Sequence, residues 1–95
     1  MFTWHRLAGG LMGPKDSLQA CGYEIARMTQ RVDGAWLAIT RRNLPHELQH
    51  THECQSFDSG VAGCEEWAER HREALLAWGE DQHRQWVARQ RWRSA

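Results

Sequence analysis

Ninety-five residues make one domain, 1–95, and a chain this short buries only about 60–65% of the surface its unfolded form exposes. Twelve Lys+Arg balance twelve Asp+Glu for a formal net charge of zero, which argues against a general nucleic-acid binder. No run approaches the ~20 apolar residues that span a bilayer.

The chain divides into a strand and flexible loop (1–16), a β-hairpin with a third strand (17–57) and a helical part (58–95). Met1 to Leu7 reads as a short strand. Gly9, Gly10, Gly13 and Pro14 then break regular structure, giving a loop from Ala8 to Asp16 with Leu11 and Met12 tucked inward. The loop holds glycines and Lys15, but Pro14 stands where a phosphate-cradling motif needs glycine. The opening MFTWHRLAGG lacks the charged start and apolar run of a secretory leader. With three cysteines (Cys21, Cys54, Cys64) forming no even framework, a soluble intracellular chain with reduced thiols is expected.

CGYEIARMT and AWLAITR flank Asp33-Gly34, a dipeptide suited to a two-residue hairpin turn. Pairing Val32 with Ala35 puts Ala26, Met28, Val32, Leu37 and Ile39 on one face, the expected core face. Trp36 then falls on the other face, partly exposed beside Arg27 or Arg31. A one-residue slip would exchange the faces of a strand.

HELQHTHEC, from His46 to Cys54, contains the His-Glu-x-x-His spacing of a metalloprotease helix. Pro45 puts His46 in a first turn, where nothing fixes its rotamer, and the chain is too short for a substrate cleft. A strand suits Thr, Cys and Phe better. On a strand, His50, His52 and Cys54 share one face. With Cys64 or His71 from the following helix they offer four N/S ligands to a structural zinc, although the paired Cys-x-x-Cys knuckles of small zinc domains are absent. The plainer reading is small buried thiols and polar edge histidines, with no metal and no cofactor.

Asp58-Ser59 reads as an N-cap, Gly60 to Trp78 as one long helix, and Gly79 as its C-cap. Val61, Cys64, Trp67, Ala68, His71, Leu75 and Trp78 form its apolar stripe. Cys64 points into that stripe, which raises rather than lowers a thiol pKa. Glu80 to Trp92 reads as a shorter second helix with Trp86, Val87 and Gln90 inward and a fraying end. The expected core is Met28, Val32, Leu37, Ile39, Phe57, Val61, Trp67, Leu75 and Trp78.

Charge is unevenly distributed. Asp58 to Asp81 holds seven acids against two bases, and Gln82 to the end holds four arginines and no acid. Glu65, Glu69 and Glu73 stack at four-residue steps and imitate a row of phosphates, a lure for a basic groove; the plainer reading is a solvated face. Arg89, Arg91, Trp92 and Arg93 interleave rings with guanidinium groups, as nucleic-acid binders and protein hot spots both do. Trp36 with Arg31 makes a third candidate patch.

The expected fold is α+β: an antiparallel sheet of three to four strands, one long amphipathic helix and a shorter C-terminal helix. The hairpin from Tyr23 to Arg42, a third strand ending in SFDS and the Trp-bearing helix together resemble compact phage and mobile-element proteins, some anti-CRISPR proteins among them. The resemblance spans Cys21 to Trp78 and carries no diagnostic motif. It implies a non-enzymatic inhibitor in the bacterial cytoplasm that blocks a host protein or nucleoprotein complex, such as a CRISPR effector. Two other expectations stand beside it: a nucleic-acid-binding accessory protein using the C-terminal helix, and a small zinc protein using His50, His52, Cys54 and Cys64.

Overall fold

A computed structural model describes residues 2–6 and 16–94, with side chains through residue 91. Of the expected loop from Ala8 to Asp16, all but Asp16, including Leu11 and Met12, lies outside the described residues. The chain forms an α+β body in the order β1 (Phe2–His5), β2 (Ser17–Ala20), β3 (Tyr23–Gln30), β4 (Trp36–Thr40), β5 (His50–Cys54), α1 (Phe57–Arg70) and α2 (Arg72–Ser94). A single turn of 3-10 helix, His46–Leu48, precedes β5. The sheet is a five-stranded antiparallel meander in sequence order, one strand more than the upper expectation.

The additional strand is β2. It is four residues long and joins β3 through Cys21 and Gly22, both at positive φ (54° and 86°). Two left-handed residues make the tight hairpin turn whose twist matches the strands. Adjacent Leu18 and Gln19 of β2 pair with Ala26 and Glu24, so Ile25 is the extra residue of a bulge on β3, and Ile25 and Ala26, neighbours in sequence, are both fully buried.

The β3–β4 connection corrects the expected register. Arg31 N–H donates to the Ala35 carbonyl at 2.8 Å, Gly34 N–H donates to the Arg31 carbonyl at 2.9 Å, and Gly34 has φ 93°. This is a three-residue loop, a type I turn closed by a left-handed glycine. Gln30 therefore pairs with Trp36 and Met28 with Ala38. The one-residue slip leaves Ala26 and Met28 of β3 on the core face as expected and reverses the face of β4; Tyr23 and Ile25, expected on the outer face, are brought to the helix side by the bulge at Ile25. Trp36, Ala38 and Thr40 turn toward the helices. Leu37 and Ile39, expected in the core, are half-buried on the opposite face, and Val32 at the loop is fully exposed.

Both helices cover one face of the sheet, α1 over β3, β4 and β5 and α2 over β2 and β3. The core between them is Leu18, Ala20, Ile25, Ala26, Met28, Ala38, Val61, Cys64, Ala68 and Leu75, with Phe57, Trp36, Trp67 and Trp78 packed half-buried around it. Trp36, expected on the outer face, lies with its ring 5.0 Å from that of Phe57.

The N-cap of α1 is Ser56, two residues earlier than expected. Its hydroxyl accepts from Ser59 N–H at 3.1 Å, and the Ser59 hydroxyl accepts from Ser56 N–H at 3.1 Å, a reciprocal capping box. Ser56→Ala is expected to cost about 1 kcal/mol, a fall of about 4–8 °C in melting temperature for a domain this size; differential scanning calorimetry checks it.

The break between the helices is also displaced. It falls at His71, whose N–H reaches back to the Trp67 and Ala68 carbonyls at 3.2 Å while its φ of −114° leaves helical geometry. The second helix is consequently the longer one, 23 residues against 14. Gly79 does not cap anything. It is buried in the interior of α2, where an added Cβ would lie 2.9 Å from the Ala20 carbonyl oxygen and 3.1 Å from Cys21 Sγ. The glycine is what lets α2 lie directly on the β2–β3 turn. No helix among the described residues is long and apolar enough to cross a membrane.

Candidate functional site

Four groups of side chains bear chemistry, and the fold treats them differently. The acidic row is divided by the helix break: Glu65 and Glu69 stand on α1, Glu73 on α2. Glu65 accepts from Trp4 Nε1 at 3.1 Å, which ties α1 to β1, and Glu69 binds Arg72 at 3.0 Å. The row is thus interrupted by the helix break, and two of its three acids are paired. The Trp36/Arg31 patch is likewise dispersed. Trp36 packs toward the helices, and Arg31 lies 2.9 Å from Asp33 and 3.6 Å from Glu53. The Asp33 pairing holds the Arg31 guanidinium above its ordinary value, and the carboxyl of Asp33 is held below its own by Arg31 and the Ala35 N–H.

The C-terminal group remains available. The Tyr23 hydroxyl donates to the Gln82 carbonyl at 3.5 Å, and the Tyr23 ring meets Trp78 edge-on at 6.1 Å. Past that anchor, Arg84, Trp86, Arg89 and Arg91 are exposed while Val87 and Gln90 are half-buried. Trp86, expected inward, is 47% exposed and stacks on His83 with centroids 6.1 Å apart. Arg84 lies 3.5 Å from Asp81, the last acid in the chain. Trp92 and Arg93 fall on the last turn of α2, outside the residues whose side chains are described.

The fourth group surrounds the His/Cys strand. His46 and Glu47 lie exposed on the 3-10 turn and His50 on β5, so the metalloprotease spacing does not gather on one helical face. As expected, His50, His52 and Cys54 do share a face of β5, opposite Thr40, Ala38 and Trp36 of β4. That face forms one wall of a groove of about 390 Å³ whose other wall is α1, with Cys64 toward its floor. Among the described residues no three His, Cys, Asp or Glu side chains are grouped to hold a metal ion. Burial pushes the Cys64 thiol up to about 11, with the nearby Cys54 and Glu65 adding to the effect. A thiol kept protonated at neutral pH is neither a ready nucleophile nor a ready thiolate ligand.

The groove receives two arginines, and each arrives by a specific device. Arg70 comes from the last turn of α1, on the same side as Gly60, Gly63 and Trp67, while Glu65 and Glu69 lie toward β1. Arg41 follows β4 with φ 60°, a left-handed conformation that costs a side-chain-bearing residue roughly 1–2 kcal/mol. The twist inverts the strand's alternation. Arg41 turns to the helix side and lines the groove, and Arg42 turns to the open side, where its Nε meets Glu24 at 2.7 Å. Strained backbone of this kind concentrates at functional positions. Nothing in the bare sequence signals it, because RRN carries no glycine.

Comparison with known proteins returned no matching family model, no matching curated protein and no matching solved structure.

Proposed function

We propose that the protein is a non-enzymatic binding protein that lays the outer half of α2 against an acidic surface of a macromolecular partner, a protein or nucleoprotein complex. One observation carries this reading: beyond its anchor at Gln82, α2 presents exposed Trp86 with Arg84, Arg89 and Arg91, and no acid follows Asp81. Tryptophan and arginine are the side chains that dominate binding hot spots. Arginine forks suit carboxylate and phosphate alike. The likeness to small phage inhibitors is compatible with this mode of action: such proteins act by occupying a surface. This surface does not include Glu65, Glu69, Arg31 or Trp36, each of which has a contact within the fold.

The test uses the full chain as bait in a bacterial lysate, with crosslinking and identification of what is retained. Replacing Trp86 by alanine together with Arg89 and Arg91 by glutamate is expected to reduce capture of the specific partner more than tenfold. The melting temperature should move by less than a few degrees, since exposed substitutions change stability by about 0.5 kcal/mol or less. Equal capture by the variant removes the proposal. Capture that depends instead on Glu65 and Glu69 would move the interface to α1.

A further inference from the structure

We propose that the groove between α1 and β5 binds a small phosphorylated molecule, with Arg41 and Arg70 holding the phosphate and the ligand's body resting on Trp67. Charge points to the first part. In a chain whose formal charge is zero, the groove is lined by Arg41, Arg70, His50, His52 and His71 and, among the described residues, by no carboxylate. Arg27, Arg31, Arg42, Arg72 and Arg84 each lie within 4.0 Å of a carboxylate, whereas Arg41 and Arg70 meet none among the described residues. Two guanidinium groups match the nearly dianionic charge of a phosphomonoester and the bidentate geometry of its oxygens. The imidazole rings of His50 and His52 on the β5 wall add further hydrogen-bonding groups.

Shape points to the second part. A volume of about 390 Å³ lies within the range of small-molecule sites and is too large for bare phosphate. Half-buried Trp67 and buried Ala38 give it an apolar surface on which a ring can lie. The α1 wall is left bare by glycine: a Cβ at Gly60 would collide with Met28 Cε, but one at Gly63 meets nothing within 4 Å. Gly63 therefore answers no packing need, and a side chain there would enter open space at the groove. Arg41 completes the case, since its left-handed backbone delivers a cation to the groove where a glycine would sit without strain.

The experiment titrates the isotopically labelled full chain with inorganic phosphate, adenosine 5′-monophosphate and adenosine, following the Trp67 indole resonance assigned through Trp67→Phe. Saturable shifts are expected with the monophosphate, weaker ones with inorganic phosphate and none with adenosine. Arg41→Gly and Gly63→Leu should each weaken monophosphate binding at least tenfold, with a melting temperature equal to or above that of the parent chain. The first removes a cation and relieves strain; the second fills the groove at a site with room. Adenosine binding as tightly as its monophosphate overturns the proposal. So does the absence of any saturable shift with both phosphate and monophosphate, or undiminished binding in both variants.

Discussion

Gly79→Leu is expected to lower the stability of the protein by about 3 kcal/mol, a fall of roughly 12–24 °C in melting temperature at 4–8 °C per kcal/mol. In an ordinary helix interior, replacing glycine by a residue with a side chain gains up to about 1 kcal/mol. At Gly79 the sign reverses, because the added Cβ lies 2.9 Å from the carbonyl oxygen of Ala20 and 3.1 Å from Cys21 Cβ. These atoms belong to the tight β2–β3 turn, whose two left-handed residues leave no slack. The helix must lift, and Leu75 and Trp78 lose part of their packing against the sheet. Even Gly79→Ala should lose stability. Urea unfolding of both variants decides the matter: an alanine variant about 1 kcal/mol more stable than the parent would show that α2 does not rest on the turn.

The second large effect lies on the opposite face of the sheet. Glu24 accepts from the Ser17 hydroxyl at 2.6 Å, from Arg27 Nε at 3.1 Å and from Arg42 Nε at 2.7 Å. Burial by itself would raise its carboxyl, but the bonds from Ser17, Arg42 and Arg27 together outweigh burial and hold it below the ordinary value of 4.5. Glu24→Ala strands two guanidinium groups and a buried hydroxyl, at a cost of about 2–3 kcal/mol. The pH dependence has a definite sign. A carboxyl whose folded value lies below its unfolded value binds fewer protons when folded. Its contribution is complete above 4.5 and is lost as pH falls through the lower folded value. Denaturation midpoints of parent and variant should accordingly differ most near neutrality and converge in acid. A constant difference down to about pH 2 would rule out linkage through Glu24.

Local signals were readable where backbone and burial agreed. The alternation of HTHEC marked a strand with its histidines and cysteine on one side, and the spacing of Val61, Cys64, Ala68 and Leu75 marked the buried side of the helical part. Registers were less readable. Asp33-Gly34 fits a two-residue turn and a three-residue loop equally well, and the choice between them reverses β4. Packing decides it, because small Ala38 opposite Met28 leaves room for α1 where Ile39 would not. The strand SLQA is too short to announce itself, and its turn uses cysteine where asparagine would have been telling. Gly79 looked like a helix end because glycine usually ends helices; here it serves a close approach that only the folded chain creates. Of the candidate residues, Arg89 and Arg91 kept an exposed setting. Trp36, Arg31, Glu65 and Glu69 were taken up by internal contacts. Arg41 and Arg70 carried no signal, since their lining of one groove depends on one inverted backbone and on α1 crossing the sheet.

The two helices meet at a single non-helical residue, His71, and the longer one is fastened to the sheet near its middle. From Arg72 to Arg91 the rise is about 28 Å at 1.5 Å per residue. Because Gly79 seats on the β2–β3 turn and the Gln82 carbonyl is held by Tyr23, α2 does not swing at the joint without lifting those contacts. The stretch from His83 to Arg91, about 12 Å of rise, therefore leaves the sheet in a fixed direction, and its guanidinium groups meet a partner whose surface matches that direction as it stands.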